Sequence, residues 1–216
     1  MGIVVMTLAE RVFDALRELI VTGRLESETP IRQDALAAKL GVSKIPLREA
    51  LMRLEQVGLL ASRGSRGYYV PPMSVEQLEE IYDLRLALEP GAVVRAAEHA
   101  DDAARAAAID AMQRLDRATS VNGTDVAEWT RVFHVALVAP AQRPLVTQLI
   151  ERLLFLSERY LMANLISGPQ RDRNCREQQQ LLDAWLARDA ALLERRLTRY
   201  LQQSLITLKK HVAAAG

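Results

Sequence analysis

Two sets of side chains in this sequence have types and spacings that chemistry could use. The first is cationic: Lys44, Arg48 and Arg53 in "SKIPLREALMR", with Arg66 in the turn "RGSRG". A guanidinium placed like that of Arg48 can bond bidentately to a guanine edge, which carries about 1–3 kcal/mol of discrimination between bases. Lys44 can read a base or bind phosphate. The second set is buried-looking. His134 in "TRVFHVAL" is one of three histidines, on what reads as the apolar face of a helix, where metal ligation, ligand binding and plain packing all stand open. Arg85 in "YDLRLALE" is surrounded by Leu84, Leu86 and Leu88, and its simplest role is an ion pair, with Glu89 four residues on or with Glu151 across a bundle. Enzymatic chemistry finds no support: the carboxylates show no paired acid–base arrangement, and there is no phosphate-cradling glycine loop or nucleophile elbow. The single cysteine, Cys175 in "RDRNCREQQQ", excludes an internal disulfide and a multi-cysteine metal site, and reads as an inert surface thiol.

Something must hold these groups in place. The chain has 216 residues, half of them hydrophobic and a quarter charged, enough for one large domain or two smaller ones with their own cores. No segment reaches the length of an uncharged membrane span, and the apolar run at the start is too short for a signal peptide, so a cytoplasmic location without membrane contact is expected. The total charge of +1 hides a division: residues 32–66 hold seven Lys/Arg against three acids, a net +4, leaving −3 for the rest. A small basic module on a mildly acidic body suits a nucleic-acid reader attached to something else.

Apolar residues recur at three and four, so the chain reads as mainly α. Helices are predicted over about 8–22, 33–40 and 44–57. The stretch "LLASRGSRGYYV" reads as a β-hairpin, with Tyr68 and Tyr69 pointing to opposite faces, one packed and one exposed. Pro71-Pro72 ends it and marks a boundary between domains 1–72 and 73–216. Ser74 caps the next helix, and Glu89-Pro90-Gly91 should break or kink it. Further helices over about 102–119, 125–139, 144–166, 170–187 and 189–212 make the second domain an all-α bundle of six or seven helices.

Within "QDALAAKLGVSKIPLREALMRLEQVGLL", Leu36, Leu40, Val42, Leu47, Ala50, Leu51 and Leu54 give two apolar stripes that can face each other across a turn at Gly41. That is a helix-turn-helix. Ser43 is placed to cap the second helix through its side-chain oxygen, and Pro46 falls in the first turn, where a missing N–H breaks no intrahelical bond. Turning the leucines inward leaves Ile45, Arg48, Glu49 and Met52 outside, flanked by Lys44 and Arg53. The end of the helix that usually meets base edges therefore begins with cations and one apolar contact. Ser65, Arg66 and Gly67 form the tip of a wing in which Arg66 can enter a minor groove or hold phosphate. With Arg32, Gln33, Ser43 and Pro46, these residues make up the candidate DNA-reading set.

The run "IRQDALAAKLGVSKIPLREALMRLEQVGLL" followed by "SRGYYV" closely resembles the winged helix of GntR-family bacterial transcription regulators. Leu36-Ala37, Leu40-Gly41-Val42-Ser43-Lys44, Leu47-Arg48-Glu49-Ala50-Leu51 and Arg66-Gly67 match the family's pattern, over about a third of the chain. "GRLESETPIRQ" lacks the glycine of the family's usual Pro-Gly turn, which puts that loop's local shape in doubt. The remainder resembles the FadR-like branch, on "EQLEEIYDLRLALEPGAVVRAA", "FHVAL", "LLDAW" and "ARDAALLERRLTRYL".

The resemblance implies a homodimer on a near-palindromic double-stranded DNA operator, controlled by a small effector in the helical domain, and most often a repressor. It places Arg85 near the effector, where a guanidinium could clamp a carboxylate or phosphate, so a small anionic metabolite is the expectation. Many members of the branch hold a divalent metal through an aspartate and three histidines. The corresponding positions here are Thr130, His134, Gln178 and Tyr200, so no tightly bound metal and no other cofactor is expected. All four are polar, which suggests that they still line an effector cavity. Arg159 and Asn164 are weaker candidates, expected at the surface. Two alternatives stand beside this reading: a metal-dependent form of the same regulator, and a helical ligand-binding protein or enzyme whose winged helix serves only protein contacts.

Overall fold

The computed structural model describes residues 6–64, 67–121, 125–164 and 168–215. The chain divides into two compact units, Met1–Pro72 and Met73–Gly216. In the first, α1 (Leu8–Val21) begins with a capping box: Thr7 Oγ1 accepts from Glu10 N at 3.2 Å, and Glu10 Oε2 accepts from Thr7 N at 2.7 Å. α2 (Gln33–Leu40) and α3 (Lys44–Val57) are joined through Gly41, which ends α2 in the left-handed region at φ 66°. A Cβ there would meet nothing within 4 Å, so what favours glycine is the backbone conformation and not crowding. α1 packs on α3, with Leu16, Leu47, Ala50, Leu51 and Leu54 wholly buried between them and their neighbours.

The wing is a short antiparallel pair, β1 (Ala61–Ser62) and β2 (Tyr68–Tyr69). The loop between α1 and α2 lies along β2: Glu28 N donates to Val70 O and Ile31 N to Tyr68 O, both at 2.8 Å. The missing loop glycine is made good by strain, since Glu28 itself adopts φ 62°. Both tyrosines are half-buried, contrary to the expected alternation. The loop pairs with β2, and Arg63 stacks on Tyr69 with Cζ 4.4 Å from the ring centroid.

The second unit comprises α4 (Val75–His99), α5 (Asp102–Ser120), α6 (Val126–Val138), α7 (Pro144–Asn164), α8 (Gly168–Leu186) and α9 (Ala190–Ala215). Ser74 caps α4, accepting from Gln77 N at 3.0 Å. α4 packs on α7 and α9, α5 on α6 and α8, and α6 on α7, around a core that includes Leu78, Val93, Phe133, Trp185 and Leu201. Glu89-Pro90-Gly91 does not break α4, which runs through Pro90. Proline within a helix costs about 3 kcal/mol, but Glu89, Pro90, Ala92 and Val93 are all buried, and the packing of this long helix outweighs the lost bond.

Candidate nucleic-acid interface and buried polar cluster

α3 turns Leu47, Ala50, Leu51 and Leu54 into the core and leaves Ile45 70% and Met52 50% exposed, with Lys44, Arg48 and Glu49 beside them. An exposed isoleucine at the first turn of a charged helix has no use within the fold. Arg32, Gln33, Lys44, Arg48 and Gly67 line one open concavity of about 550 Å³. Arg48 Nε donates to Gln33 Oε1 at 3.3 Å, and Lys44 Nζ pairs with Asp34 Oδ1 at 2.6 Å, both in the open. These solvent-exposed contacts are weak, and can be exchanged for phosphate or a base edge. Arg53 is exposed but stacks on Phe13 of α1, its Cζ 4.8 Å from the ring centroid, so part of its role is to fasten α3 to α1. Gly67 takes φ 78° at the start of β2. Ser65 and Arg66 lie outside the described residues.

Ser43 does not act as the side-chain cap that its position suggests: it is the N-cap residue of α3, but its hydroxyl makes no capping bond. An N-cap oxygen accepts from the second or third residue of the helix, and the third here is Pro46, which has no N–H. The half-buried Pro46 thus leaves the Ser43 hydroxyl without a capping bond.

In the helical unit the four positions Thr130, His134, Gln178 and Tyr200 come together with Arg85. Gln178 Nε2 donates to Tyr200 Oη at 3.3 Å, and the His134 and Tyr200 rings lie 5.6 Å apart at centroids. Thr130, Gln178 and Tyr200 wall a cavity of about 10 Å³, room for about one water. The Thr130 hydroxyl is turned back on its own helix, donating to Val126 O at 2.8 Å.

The residue that the sequence reading left as an alternative organises this cluster. Glu89, fully buried, takes Arg85 Nε at 2.5 Å and Nη2 at 3.4 Å, and accepts from His134 Nδ1 at 3.3 Å. Arg85 Nη1 also donates to Ser157 Oγ at 3.3 Å. Of the two partners open to Arg85 the structure selects Glu89, because a residue four positions on shares its helix face. Glu151 instead lies 3.8 Å from Arg131, whose Nε bonds buried Glu158 at 2.7 Å. Burial alone would raise the pKa of Glu89, but Arg85 and His134 outweigh it and hold the carboxyl down at about 2. Burial lowers the pKa of His134 despite the bond to Glu89, so near neutrality the imidazole is uncharged. Its Nδ1–H then donates to the carboxylate, and Nε2 carries a lone pair.

Two further expectations are corrected. Arg159 is buried, 9% exposed, on the inward side of α7. Cys175 is not a surface thiol: it is half-buried against Asp116, with Sγ 3.4 Å from Oδ1, and burial with that carboxylate pushes its pKa up to about 11. It therefore stays protonated and unreactive. The side chain of Asn164 lies outside the described residues.

The model of the gntR family of bacterial regulatory proteins matches residues 8–70, and that of the FCD domain matches residues 80–203, more than half of the chain. The chain belongs to the GntR family, with an FCD domain. Among relatives of this GntR regulator, the Nta operon transcriptional regulator of Aminobacter aminovorans is 31% identical over 141 residues, 65% of this chain and 66% of that protein. The match thus falls just short of two thirds of the relative's length. The transcriptional repressor GlaR of Escherichia coli is 28% identical over 201 residues, 89% of this chain and 90% of that protein. Among solved structures, Escherichia coli McbR/YncC superposes with a TM-score of 0.80 at 25% identity, covering 95% of this chain and 99% of that one. The family and these relatives are transcription regulators, not enzymes, and the winged helix with a helical partner unit is their fold. Among the described residues, no helix is long and apolar enough to cross a membrane.

The polar cluster of this GntR regulator does not fit a divalent metal. The only imidazole is bonded to Glu89, the Thr130 oxygen is held by its helix, and Gln178 and Tyr200 are bonded to each other. Among the described residues no three His, Cys, Asp or Glu side chains converge as ligands. Neutral hydroxyl and amide oxygens are weak substitutes for carboxylate and imidazole.

Proposed function

We propose that this regulator reads its operator through the outer face of α3 and the wing, and that a small molecule bound in the helical unit controls it. What carries the DNA-reading half is the concavity shared by Arg32, Gln33, Lys44, Arg48 and Gly67, beside the exposed Ile45. Arg48 and Lys44 reach base edges or phosphates, Arg32, Gln33 and the free Ser43 hydroxyl reach backbone phosphates, and Pro46 sets the entry of the helix. Arg53 grips phosphate from its stack on Phe13, and Ser65, Arg66 and Gly67 supply the wing tip. The repressor names among the relatives support repression.

A homodimer on a near-palindromic site is supported by apolar side chains left bare on two helices that pack together: Leu84 on α4, with Leu145 and Leu149 on α7, are 46%, 69% and 45% exposed. The effector reading rests on Arg85, Thr130, His134, Gln178 and Tyr200, buried polar groups that a helical bundle would otherwise replace with leucine. The ion pair of Arg85 with Glu89 weighs against an anionic effector.

A mobility-shift titration of the full chain against DNA upstream of its own gene tests the first half. Affinity should fall steeply as salt rises, because phosphate contacts release counterions. Absence of salt-sensitive binding would sink it and favour a winged helix used for protein contacts.

A further inference from the structure

The buried cluster limits what the effector can be, a step that rests on the effector-site reading above. Most of its polar atoms are already spent. Arg85 and Glu89 satisfy each other, Thr130 bonds Val126, and Gln178 Nε2 bonds Tyr200. Two atoms remain: His134 Nε2 and Gln178 Oε1 are buried with no hydrogen-bond partner, on residues 1% and 3% exposed. Both are acceptors, one a ring lone pair and the other a carbonyl oxygen, and both residues adjoin Tyr200, Gln178 by a hydrogen bond and His134 by ring contact.

A carboxylate offers only acceptor atoms, so it satisfies neither. It would reach Arg85 only by displacing Glu89, whose own carboxylate would then be buried and unpaired. A cation brings donors, but it adds uncompensated charge to a cluster that Arg85, Glu89 and neutral His134 already balance, with the guanidinium repelling it. An uncharged N–H or O–H donor satisfies such an acceptor without moving charge into the core, and of the two it is Gln178 that lines a cavity.

Space sets the same limit. The cavity beside Gln178 measures about 10 Å³, but it shares Leu161 and Asn174 with a cleft of about 210 Å³ along α7, α8 and α9. Glu177 and Arg173 stand on the wall of that cleft with opposite charges, and Leu161, Ile206 and Leu208 give it an apolar side. A ligand can therefore lodge its body in the cleft and turn a polar head toward the Gln178 end.

We infer that the effector is an uncharged metabolite that donates a hydrogen bond, through a primary amide or hydroxyl head, to Gln178 Oε1 on the cavity wall, and that Glu89 acts as a built-in carboxylate excluding anionic ligands. Benzamide, benzoate and benzamidinium share one shape and differ in charge, so calorimetric titration of the full chain with each is the test. Benzamide should bind saturably and the two ions at least about tenfold more weakly, with Gln178→Leu weakening benzamide by about tenfold or more. In Glu89→Gln the freed guanidinium should admit benzoate.

Benzoate binding to wild type as tightly as benzamide, with loss of both in Gln178→Leu, would overturn the ligand class and leave the site standing. Binding that survives Gln178→Leu, or no binding of any of the three, would remove the site itself and the inference with it. The wild-type and Gln178→Leu titrations decide the matter even where Glu89→Gln does not fold.

Discussion

Arg48 and Arg85 carry the same guanidinium into opposite surroundings. Arg48 is exposed and touches one neutral amide at 3.3 Å, whereas Arg85 is 2% exposed and held side-on by a carboxylate at 2.5 and 3.4 Å. In water a cation keeps its hydration until a phosphate or base edge offers something better, so the exposed arginine is available for recognition. In the core a cation must be matched at every moment of the folded state, so the buried arginine is already taken. An arginine in a sequence motif announces a charge, and only its surroundings say whether that charge can be lent to a ligand.

The largest expected effect breaks the buried side of this contrast. Glu89→Ala leaves Arg85 unpaired in the core and should cost about 3–5 kcal/mol in urea unfolding of the full chain, whereas Arg85→Met with Glu89→Leu should recover most of that loss. If the double variant is as unstable as the single one, the pair is doing something other than balancing charge. Arg48→Ala tests the exposed side: operator discrimination should drop by about 1–3 kcal/mol, relaxed at one base pair in footprinting, with melting unchanged.

Protonation offers a third test. The folded pKa of His134 lies below its ordinary value of 6.5, so below that pH the unfolded chain binds a proton that the folded chain refuses. Its contribution is present in full above pH 6.5, and is lost as pH falls from there to the lower folded pKa, with a slope of at most about 1.4 kcal/mol per pH unit. As pH falls from 6.5 toward 5, wild type should lose stability relative to His134→Phe in denaturation, and parallel curves would mean that His134 binds its proton equally in the folded and unfolded chain. The smallest effect belongs to Ser43→Ala. A capping serine typically contributes about 1 kcal/mol, but with no capping bond the melting point should barely move, while operator affinity falls uniformly across sequences if the hydroxyl meets phosphate.

Much of the reading unit was legible in the sequence because its rules are local. The bounds of α2 and α3 follow from left-handed glycines at Gly41 and Gly58, and the inward face of α3 follows from leucine spacing alone. The Ser43 cap failed for a reason also present in the sequence, since Pro46 sits where the donor should be. What could not be read locally was pairing at a distance. The lie of the α1–α2 loop along β2 joins residues about forty apart in sequence, and no spacing rule signals it.

In the helical unit, the convergence of Thr130, His134, Gln178 and Tyr200 came from resemblance and not from periodicity. In the sequence Glu89 reads only as one of two partners for Arg85 and as part of a helix break, because Pro90 beside it signals a stop. Its role in joining Arg85 to His134 depends on α4 continuing through Pro90, which tertiary packing decides.

The bond between Gln178 and Tyr200 also bears on how such a site changes over generations. Both side chains are buried, and while Tyr200 also bonds Ser204, replacing Tyr200 alone strands the Gln178 amide and lowers stability before anything is gained. Substitutions can adjust the ligand by small steps around the pair, but replacing the pair itself takes at least two coordinated changes, with a less stable intermediate between them. The hydrogen bond works as a ratchet.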